Sequence, residues 1–168
     1  NDGANSNNEE YRVDFEKLKQ KNSDTIAWIK VNGTDIDFPV VKGIDNSYYL
    51  THNFNKEKNK AGWIFADYRN KFDGTDKNII IYGHNMKDGS MFASLKNIIK
   101  EEWYNNEENK YITLITEKEY CKYQVFSVYQ TEAEEYYLQT NISNFEEFIK
   151  NIKDRSEKNF NVDIKETD

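Results

Sequence analysis

The sequence predicts a mostly β domain with helical insertions, an α+β fold. Stretches of residues with a strand-type pattern recur along the chain and are separated by turn-rich segments. Three other stretches repeat apolar residues with helical spacing. A chain of 168 residues with 15% aromatic residues is the size of one domain and can form a hydrophobic core. Many short strands interrupted by a few helices indicate a mixed β-barrel with helices inserted between its strands.

Helical patterns divide the chain into a short leader region and one domain. The predicted helices cover residues 9–21, 90–100 and 144–152, and a shorter helical turn capped by Asp45 or Asn46 covers residues 45–50. Residues 1–8 have the polar composition of a solvated leader. We therefore assign residues 1–21 to a leader with an N-terminal helix and residues 22–168 to the domain.

Strand patterns account for most of the remaining chain. They cover residues 26–31, 36–38, 62–67, 78–82, 111–115 and 119–130. Asn32 and Gly33 predict a tight hairpin between the first two. Pro39 cannot donate a ladder hydrogen bond, which predicts that the second strand ends there at an edge or a bend. Residues 79–82 are continuously apolar, which predicts a strand buried on both faces.

Composition excludes several classes of function. The net charge is −7 and no basic block occurs, so neither nucleic acid nor an anionic membrane surface is an expected partner. Cys121 is the one cysteine of the sequence, which excludes an internal disulfide and a multi-cysteine zinc site. Neither His52 nor His84 has a partner at metal-ligand spacing, and we expect no metal and no cofactor. No apolar run is long enough to span a membrane.

His84 is the strongest candidate for chemistry. It follows the apolar strand pattern of residues 78–82, and Gly83 allows the backbone to turn or to approach another segment closely. A histidine held at a rigid strand end is well placed to act as a general acid or base. From spacing alone, a structural histidine whose ring hydrogen-bonds to its neighbours is the more common case.

Six blocks in the same order resemble class B sortases, the cell-wall transpeptidases of Gram-positive bacteria. These blocks are residues 24–31, 36–41, 45–50, 62–70, 82–86 and 88–92. The resemblance extends from about residue 22 to residue 137. The predicted helix at 144–152 is similar to the helix that class B enzymes insert before their penultimate strand.

The resemblance implies an eight-stranded β-barrel with an N-terminal helix and a Cys-His-Arg catalytic set. The cysteine attacks the threonine carbonyl of a C-terminal sorting motif, and an amine of the peptidoglycan precursor resolves the resulting thioester. His84 matches the catalytic histidine. The implied partners are surface proteins that carry the sorting signal and the peptidoglycan amine. We expect a monomer at the extracellular face of the membrane, anchored by a transmembrane helix outside this chain.

Five further residues match positions of the class B substrate groove. Asn46, Leu50 and Tyr82 match its lining, and Tyr137 and Leu138 match its wall. Each also has an ordinary structural alternative. Leu50 and Leu138 would then be core residues, Tyr82 and Tyr137 half-buried aromatic residues, and Asn46 a helix cap.

The sequence departs from the family pattern after the inserted helix. The family's nucleophile lies in a Thr-Leu-x-Thr-Cys strand and its arginine on the last strand, and neither motif occurs before Asp168. We therefore expect a domain that lacks its last two strands and is inactive by itself. One alternative is a non-catalytic peptide-binding module. Another is a thiol hydrolase that uses Cys121 with His84, although a strand cysteine is usually an inert apolar residue.

Overall fold

A computed structural model describes residues 12–166 of the chain. Its helices are α1 Phe15–Lys21, α2 Glu101–Tyr104 and α3 Phe145–Arg155. Its strands are β1 Thr25–Val31, β2 Asp37–Val41, β3 Phe65–Ala66, β4 Ile81–Tyr82, β5 Tyr111–Ile115, β6 Tyr120–Gln124, β7 Ser127–Val128 and β8 Lys158–Asn159. Short 3₁₀ turns cover Tyr48–Leu50, Ala93–Asn97, Glu107–Lys110 and Glu135–Leu138.

Six strands form one curled, mixed sheet in the order β4-β3-β2-β1-β5-β6. The β2–β3 pair is parallel and the other pairs of this sheet are antiparallel. β7 and β8 form a separate antiparallel pair. The α+β fold with helices between strands is thus confirmed, whereas two further strands that would close an eight-stranded barrel stay a prediction.

β1 and β2 form the predicted hairpin at the centre of the sheet. Every second residue of β1 is buried, so the strand presents one face to the core. Gly33 adopts a φ of 68° in the connecting turn, a conformation that side chains other than glycine rarely adopt.

The prediction that Pro39 ends its strand is wrong, because Pro39 lies inside β2, opposite Trp28 of β1. The nitrogen and the carbonyl of a strand residue point to the same side of the strand. The Pro39 carbonyl accepts a hydrogen bond from the indole of Trp63 at 3.0 Å, on the side away from β1. β3 pairs with β2 only through Val41 and Phe65, so no ladder partner requires the missing N–H.

Four other element predictions are wrong in extent. The strand predicted at 62–67 is reduced to the two residues of β3. The helix predicted at 90–100 is reduced to the 3₁₀ turn Ala93–Asn97, and α2 begins only after it, because Lys100 is extended, with a ψ of 144°. The strand at 78–82 is reduced to β4 and is half-exposed, because β4 is an edge strand. The strand at 119–130 divides into β6 and β7 around the buried Val125.

The two predicted terminal helices are present with different bounds. α1 begins at Phe15, and the Asp14 carboxylate caps it by accepting a hydrogen bond from the Lys17 N–H at 3.0 Å. The leader and residues 9–11 of the predicted helix lie outside the described residues. α3 is longer than predicted, and Asn144 caps it through the Glu147 N–H. Within residues 12–166 no helix has the length and apolarity to cross a membrane.

The concave side of the sheet carries the main core and an open apolar hollow. The buried core residues are Ala27, Ile29, Val31, Ile36, Val40, Ile64, Ala66, Ile98, Trp103, Leu114 and Val125. Beside them is a hollow of about 430 Å³, lined by Ile79, Ile81, Ile112, Leu114 and Tyr123 among others. Ile81 belongs to the edge strand β4 and Tyr123 to the edge strand β6, so the hollow extends from one edge of the sheet to the other.

Candidate active site

His84 lies just beyond β4, at the end of the edge strand. Its carbonyl accepts a hydrogen bond from the Phe92 N–H at 2.9 Å, and this bond closes the loop that follows. A Cβ added to Gly83 would lie 2.6 Å from the Ile64 side chain and 2.6 Å from the Phe92 ring. The close approach predicted at Gly83 is therefore present, and it holds the backbone before His84 against the core.

The His84 ring contacts the turn that carries Leu50. Its Nε2 atom lies 2.8 Å from the Leu50 carbonyl oxygen. The Leu50 side chain is 42% exposed, which removes the alternative that it is a core residue. The structure thus brings together His84 and Leu50, two residues that are 34 positions apart in the sequence.

The turn Tyr48–Leu50 is organised by Asp45. The Asp45 carboxylate accepts hydrogen bonds from the N–H groups of Ser47 at 2.8 Å and Tyr48 at 2.9 Å. These backbone hydrogen bonds, led by that from Tyr48, hold the pKa of Asp45 below its ordinary value. Of the two predicted caps, Asp45 therefore fills the role, and the Asn46 side chain points elsewhere.

A buried carboxylate, Asp67, links the other predicted groove residues. Its side chain has no exposed surface. It accepts hydrogen bonds from Arg69 Nε and Nη2 at 2.8 Å each, from the Tyr82 hydroxyl at 2.8 Å and from the Asn46 amide at 2.9 Å. We call these four residues, Asn46, Asp67, Arg69 and Tyr82, the Asp67 cluster. A buried carboxylate needs such partners, because an unpaired charge away from water is very costly.

The electrostatics of the cluster follow from burial and from these hydrogen bonds. Burial raises the pKa of Asp67, but the hydrogen bonds from Arg69, Tyr82 and Asn46 outweigh it, and the net pKa lies well below the ordinary value. Burial and the hydrogen bond to Asp67 raise the pKa of Tyr82 to about 12. The Tyr82 ring also stacks on Phe65 of the neighbouring strand, with 4.9 Å between centroids. Tyr82 is therefore neutral and firmly held beside His84.

Arg69 extends the cluster to the predicted groove wall. Its Nη2 atom also donates to the Leu138 carbonyl at 2.8 Å. The Asn78 amide donates to the next carbonyl, that of Gln139, at 2.7 Å. Leu138 is half-buried, and Tyr137 packs edge-on against Tyr136 at 5.3 Å. The turn Glu135–Leu138 is thus attached to the Asp67 cluster through its backbone.

Sequence reasoning did not identify Asp67 and Arg69. Both lie in the block 62–70 that carries the family resemblance, and Asp67 directly follows the apolar residues of β3. The sequence signal for this pair is a carboxylate at the end of an apolar strand, followed two residues later by an arginine. The pattern does not show that the carboxylate is fully buried, and burial is what makes its hydrogen bonds matter.

Cys121 lies apart from this arrangement. It belongs to β6, at the opposite edge of the sheet from β4. Its Sγ atom is 3.8 Å from the Glu119 carboxylate. A reactive thiolate requires an electropositive surrounding, and a neighbouring carboxylate provides the reverse. In the described part of the chain, His, Cys, Asp and Glu side chains do not group in threes as a metal site would require.

Comparison with known proteins agrees with this fold. The family model for the Sortase domain matches residues 29–158. Sortase B of Listeria monocytogenes is 39% identical over 169 aligned positions, covering 97% of this chain and 67% of that protein. Sortase B of Staphylococcus aureus is 35% identical, covering 93% of this chain and 64% of that protein. The chain thus spans about two thirds of the length of these relatives.

Solved structures give the same result. The structure of Clostridium perfringens sortase B has a TM-score of 0.83 and 42% identity, covering 91% of this chain and 85% of that one. The Staphylococcus aureus sortase B–substrate complex has a TM-score of 0.82 and 33% identity, covering 91% of this chain and 71% of that one. The chain belongs to the sortase family. Within that family, its relatives and structural neighbours place it in class B.

Proposed function

We propose that this chain forms the substrate-binding and acid–base part of a cysteine transpeptidase that joins surface proteins to peptidoglycan. The observation that carries the proposal is the position of His84 at the end of β4. Its ring contacts the turn of Leu50. Tyr82, two residues earlier, donates a hydrogen bond to Asp67, which also accepts one from Asn46. The substrate complex of the Staphylococcus aureus relative supports a sorting-signal peptide as the ligand.

The proposed reaction has two acyl-transfer steps. A cysteine thiolate attacks the threonine carbonyl of the sorting signal, and the C–N bond after threonine breaks as imidazolium His84 gives its proton to the leaving amine. The thioester is then attacked by a peptidoglycan amine. Neutral His84 takes the proton of that amine, and the thiolate leaves. An arginine near the carbonyl would stabilise the negative oxygen of both tetrahedral intermediates.

The cysteine and the arginine belong, in this proposal, to strands that follow α3 outside the present sequence. Two features support such strands. β4 and β6 are the outer strands of the six-stranded sheet, and free edges of this kind favour pairing. The apolar hollow of about 430 Å³ between them would be covered by residues of the added strands. The nucleophile would then lie next to β4 and close to His84.

The proposal also includes the cellular location. The resemblance to cell-wall enzymes supports action at the extracellular face of the cytoplasmic membrane, with an anchoring helix outside this sequence.

The full-length protein tests the proposal directly. A peptide containing Asn-Pro-x-Thr followed by Asn or Gly is incubated with it, with and without triglycine as the amine. We expect cleavage after threonine, a thioester-linked acyl-enzyme by mass spectrometry, and a product extended by triglycine. A peptide with alanine in place of threonine is the control and should not be cleaved. Binding of the peptide without acyl-enzyme or cleavage would contradict the transpeptidase and support the non-catalytic module.

Replacing Cys121 with alanine tests the remaining alternative, the thiol hydrolase. We expect peptide cleavage by the full-length variant to stay within about twofold of the wild type, because a strand thiol beside a carboxylate behaves as a small apolar residue. The measurement is kcat/KM for the sorting-signal peptide. A Cys121→Ala variant without activity but with unchanged thermal stability would instead assign the nucleophile to Cys121.

A further inference from the structure

Three successive carbonyl groups of the turn Tyr48–Leu50 accept hydrogen bonds from different parts of the chain. The Tyr48 carbonyl lies 2.8 Å from His52 Nδ1, and the Tyr49 carbonyl accepts from the Trp63 N–H at 2.9 Å. The Leu50 carbonyl lies 2.8 Å from His84 Nε2. The Tyr48 carbonyl also accepts a hydrogen bond from the Thr51 N–H at 3.3 Å. The carbonyls at the end of a helical turn lack a partner within it, so those of Tyr49 and Leu50 are available to donors from elsewhere in the chain. Two of the three carbonyl groups, those of Tyr48 and Leu50, face histidine rings.

A carbonyl oxygen can only accept a hydrogen bond, which decides the protonation of the facing nitrogen. His84 Nε2 must therefore carry a proton, in the neutral imidazole and in the imidazolium alike. In the neutral ring only one nitrogen is protonated, so Nδ1 holds the free electron pair. The nitrogen that gains and loses the proton is then Nδ1.

We propose that the Leu50 main-chain carbonyl is the orienting partner of His84 and makes Nδ1 the nitrogen that exchanges protons during catalysis. The inference rests on the proposed function and refines it. In other nucleophile–imidazole sites a third group fixes the base, often a carboxylate. A carbonyl fixes the tautomer and the ring orientation in the same way, without adding a negative charge. His84 would protonate the leaving amine, and deprotonate the incoming one, through Nδ1.

The Leu50 carbonyl is itself held by the residue before it. Tyr49 is only 1% exposed. Its hydroxyl donates to the Asp24 carboxylate at 2.6 Å and accepts from the Asn22 amide at 2.9 Å. Lys56 forms an ion pair with the same carboxylate at 3.0 Å. These contacts attach the turn to the segment between α1 and β1, so Tyr49 is a positioning residue for the carbonyl that contacts His84.

Gly62 holds the same carbonyls from the other side. It adopts a φ of +56°, and an added Cβ would lie 2.2 Å from the Tyr49 oxygen and 2.8 Å from the Leu50 oxygen. Any side chain at this position would displace the two carbonyl groups. The Gly62 backbone thus packs closely against the Tyr49 and Leu50 carbonyl groups and restricts their movement. In this position the Leu50 carbonyl faces His84.

His52 provides an internal reference for the inference. Its Nδ1 faces the Tyr48 carbonyl, so its proton must lie on Nδ1, the reverse of the arrangement in His84. Its ring also stacks on Tyr48, with 4.0 Å between centroids. The two histidines of the sequence are therefore expected to be opposite tautomers that are held by the same turn.

Both tautomers can be measured by long-range ¹H–¹⁵N correlation NMR of the full-length protein with its imidazole rings neutral. We expect His84 protonated on Nε2 and His52 protonated on Nδ1. The His52→Gln variant assigns the two sets of signals. A His84 ring protonated on Nδ1, or a tautomer mixture like that of free histidine, would overturn the inference. An inactive wild-type protein with the expected His84 signals would contradict the proposed function and leave the tautomer assignment intact.

The Tyr49→Phe variant tests whether positioning of the carbonyl matters for catalysis. Without the hydroxyl the turn loses its attachment to Asp24, and we expect kcat to fall by about tenfold because the ring orientation is less well held. The His84 signals should shift toward a mixture of tautomers. Tyr104→Phe, which removes a half-buried tyrosine hydroxyl in α2, is the control and should leave kcat and the His84 signals unchanged. Wild-type kcat and unchanged His84 signals in Tyr49→Phe would contradict the positioning role.

Discussion

Replacing His84 with alanine is expected to lower kcat/KM of the full-length protein for a sorting-signal peptide by about 10³-fold, since general acid–base catalysis contributes on this scale. The imidazole is the group at the end of β4 that can give a proton to the leaving amine and take one from the incoming amine. The partly exposed ring makes one hydrogen bond, to the Leu50 carbonyl, so its loss should change the free energy of unfolding by only about 1 kcal/mol.

The other histidine of the sequence is the matched control for this substitution. His52 contacts the carbonyl of Tyr48 in the same turn, and His52→Gln should retain most of the wild-type activity. The assay follows peptide cleavage, with thermal unfolding measured on each variant. Wild-type cleavage by His84→Ala would show that His84 is not the acid–base group and would contradict the proposed mechanism.

Replacing Asp67 with alanine is expected to be the most destabilising change in the site. Arg69, the Tyr82 hydroxyl and the Asn46 amide would all lose a buried acceptor. We expect the free energy of unfolding to fall by about 3 kcal/mol, the scale for removing one partner of a buried, hydrogen-bonded charge. KM for the peptide should rise because the cluster holds Asn46 and, through Arg69, the backbone at Leu138. Denaturant unfolding and steady-state kinetics measure the two effects.

The Asp67→Asn variant tests the electrostatic part of this argument through pH. The folded-state pKa of Asp67 is depressed, so its ionised form contributes stability above the unfolded-state pKa of about 3.9. That contribution is lost as pH falls from there through the folded-state pKa. The wild type should therefore lose stability below about pH 4 more steeply than Asp67→Asn.

Asp73 provides the matched control for the buried carboxylate. It is exposed, and its hydrogen bonds are to Thr75 in its own loop. Asp73→Asn should change the free energy of unfolding at neutral pH by less than about 0.5 kcal/mol, as surface substitutions usually do. If Asp67→Asn and Asp73→Asn changed stability and its acid dependence equally, the Asp67 cluster would not be the stabilising unit described here.

Several elements could be predicted because their signal is local. The Asn32-Gly33 turn, with the alternation of β1 on one side, was sufficient for the central hairpin. The apolar spacing of residues 145–152 was sufficient to predict α3. The position of His84 at the end of a strand also followed from the sequence, although its role comes from the family resemblance.

Other features depended on neighbours that a sequence pattern does not name. The run at 79–82 is apolar enough for a buried strand, yet only Ile81–Tyr82 pairs, and it does so at an edge. Pro39 is compatible with a central strand because β3 is too short to reach its nitrogen. Asp67 could have been an exposed turn carboxylate, since nothing adjacent in sequence indicates that Tyr82 and Asn46 converge on it.

By itself, the sequence determined the α+β class, the central hairpin, the helix after Asn144 and the family blocks around His84. Propensity, alternation and turn chemistry act between residues a few positions apart, and such signals survive in the sequence. Only the tertiary structure decided that Asp67 is buried under Arg69 and that the Leu50 carbonyl faces the His84 ring. Burial and hydrogen-bond geometry arise between segments far apart in the chain, and they exist only once those segments are packed together.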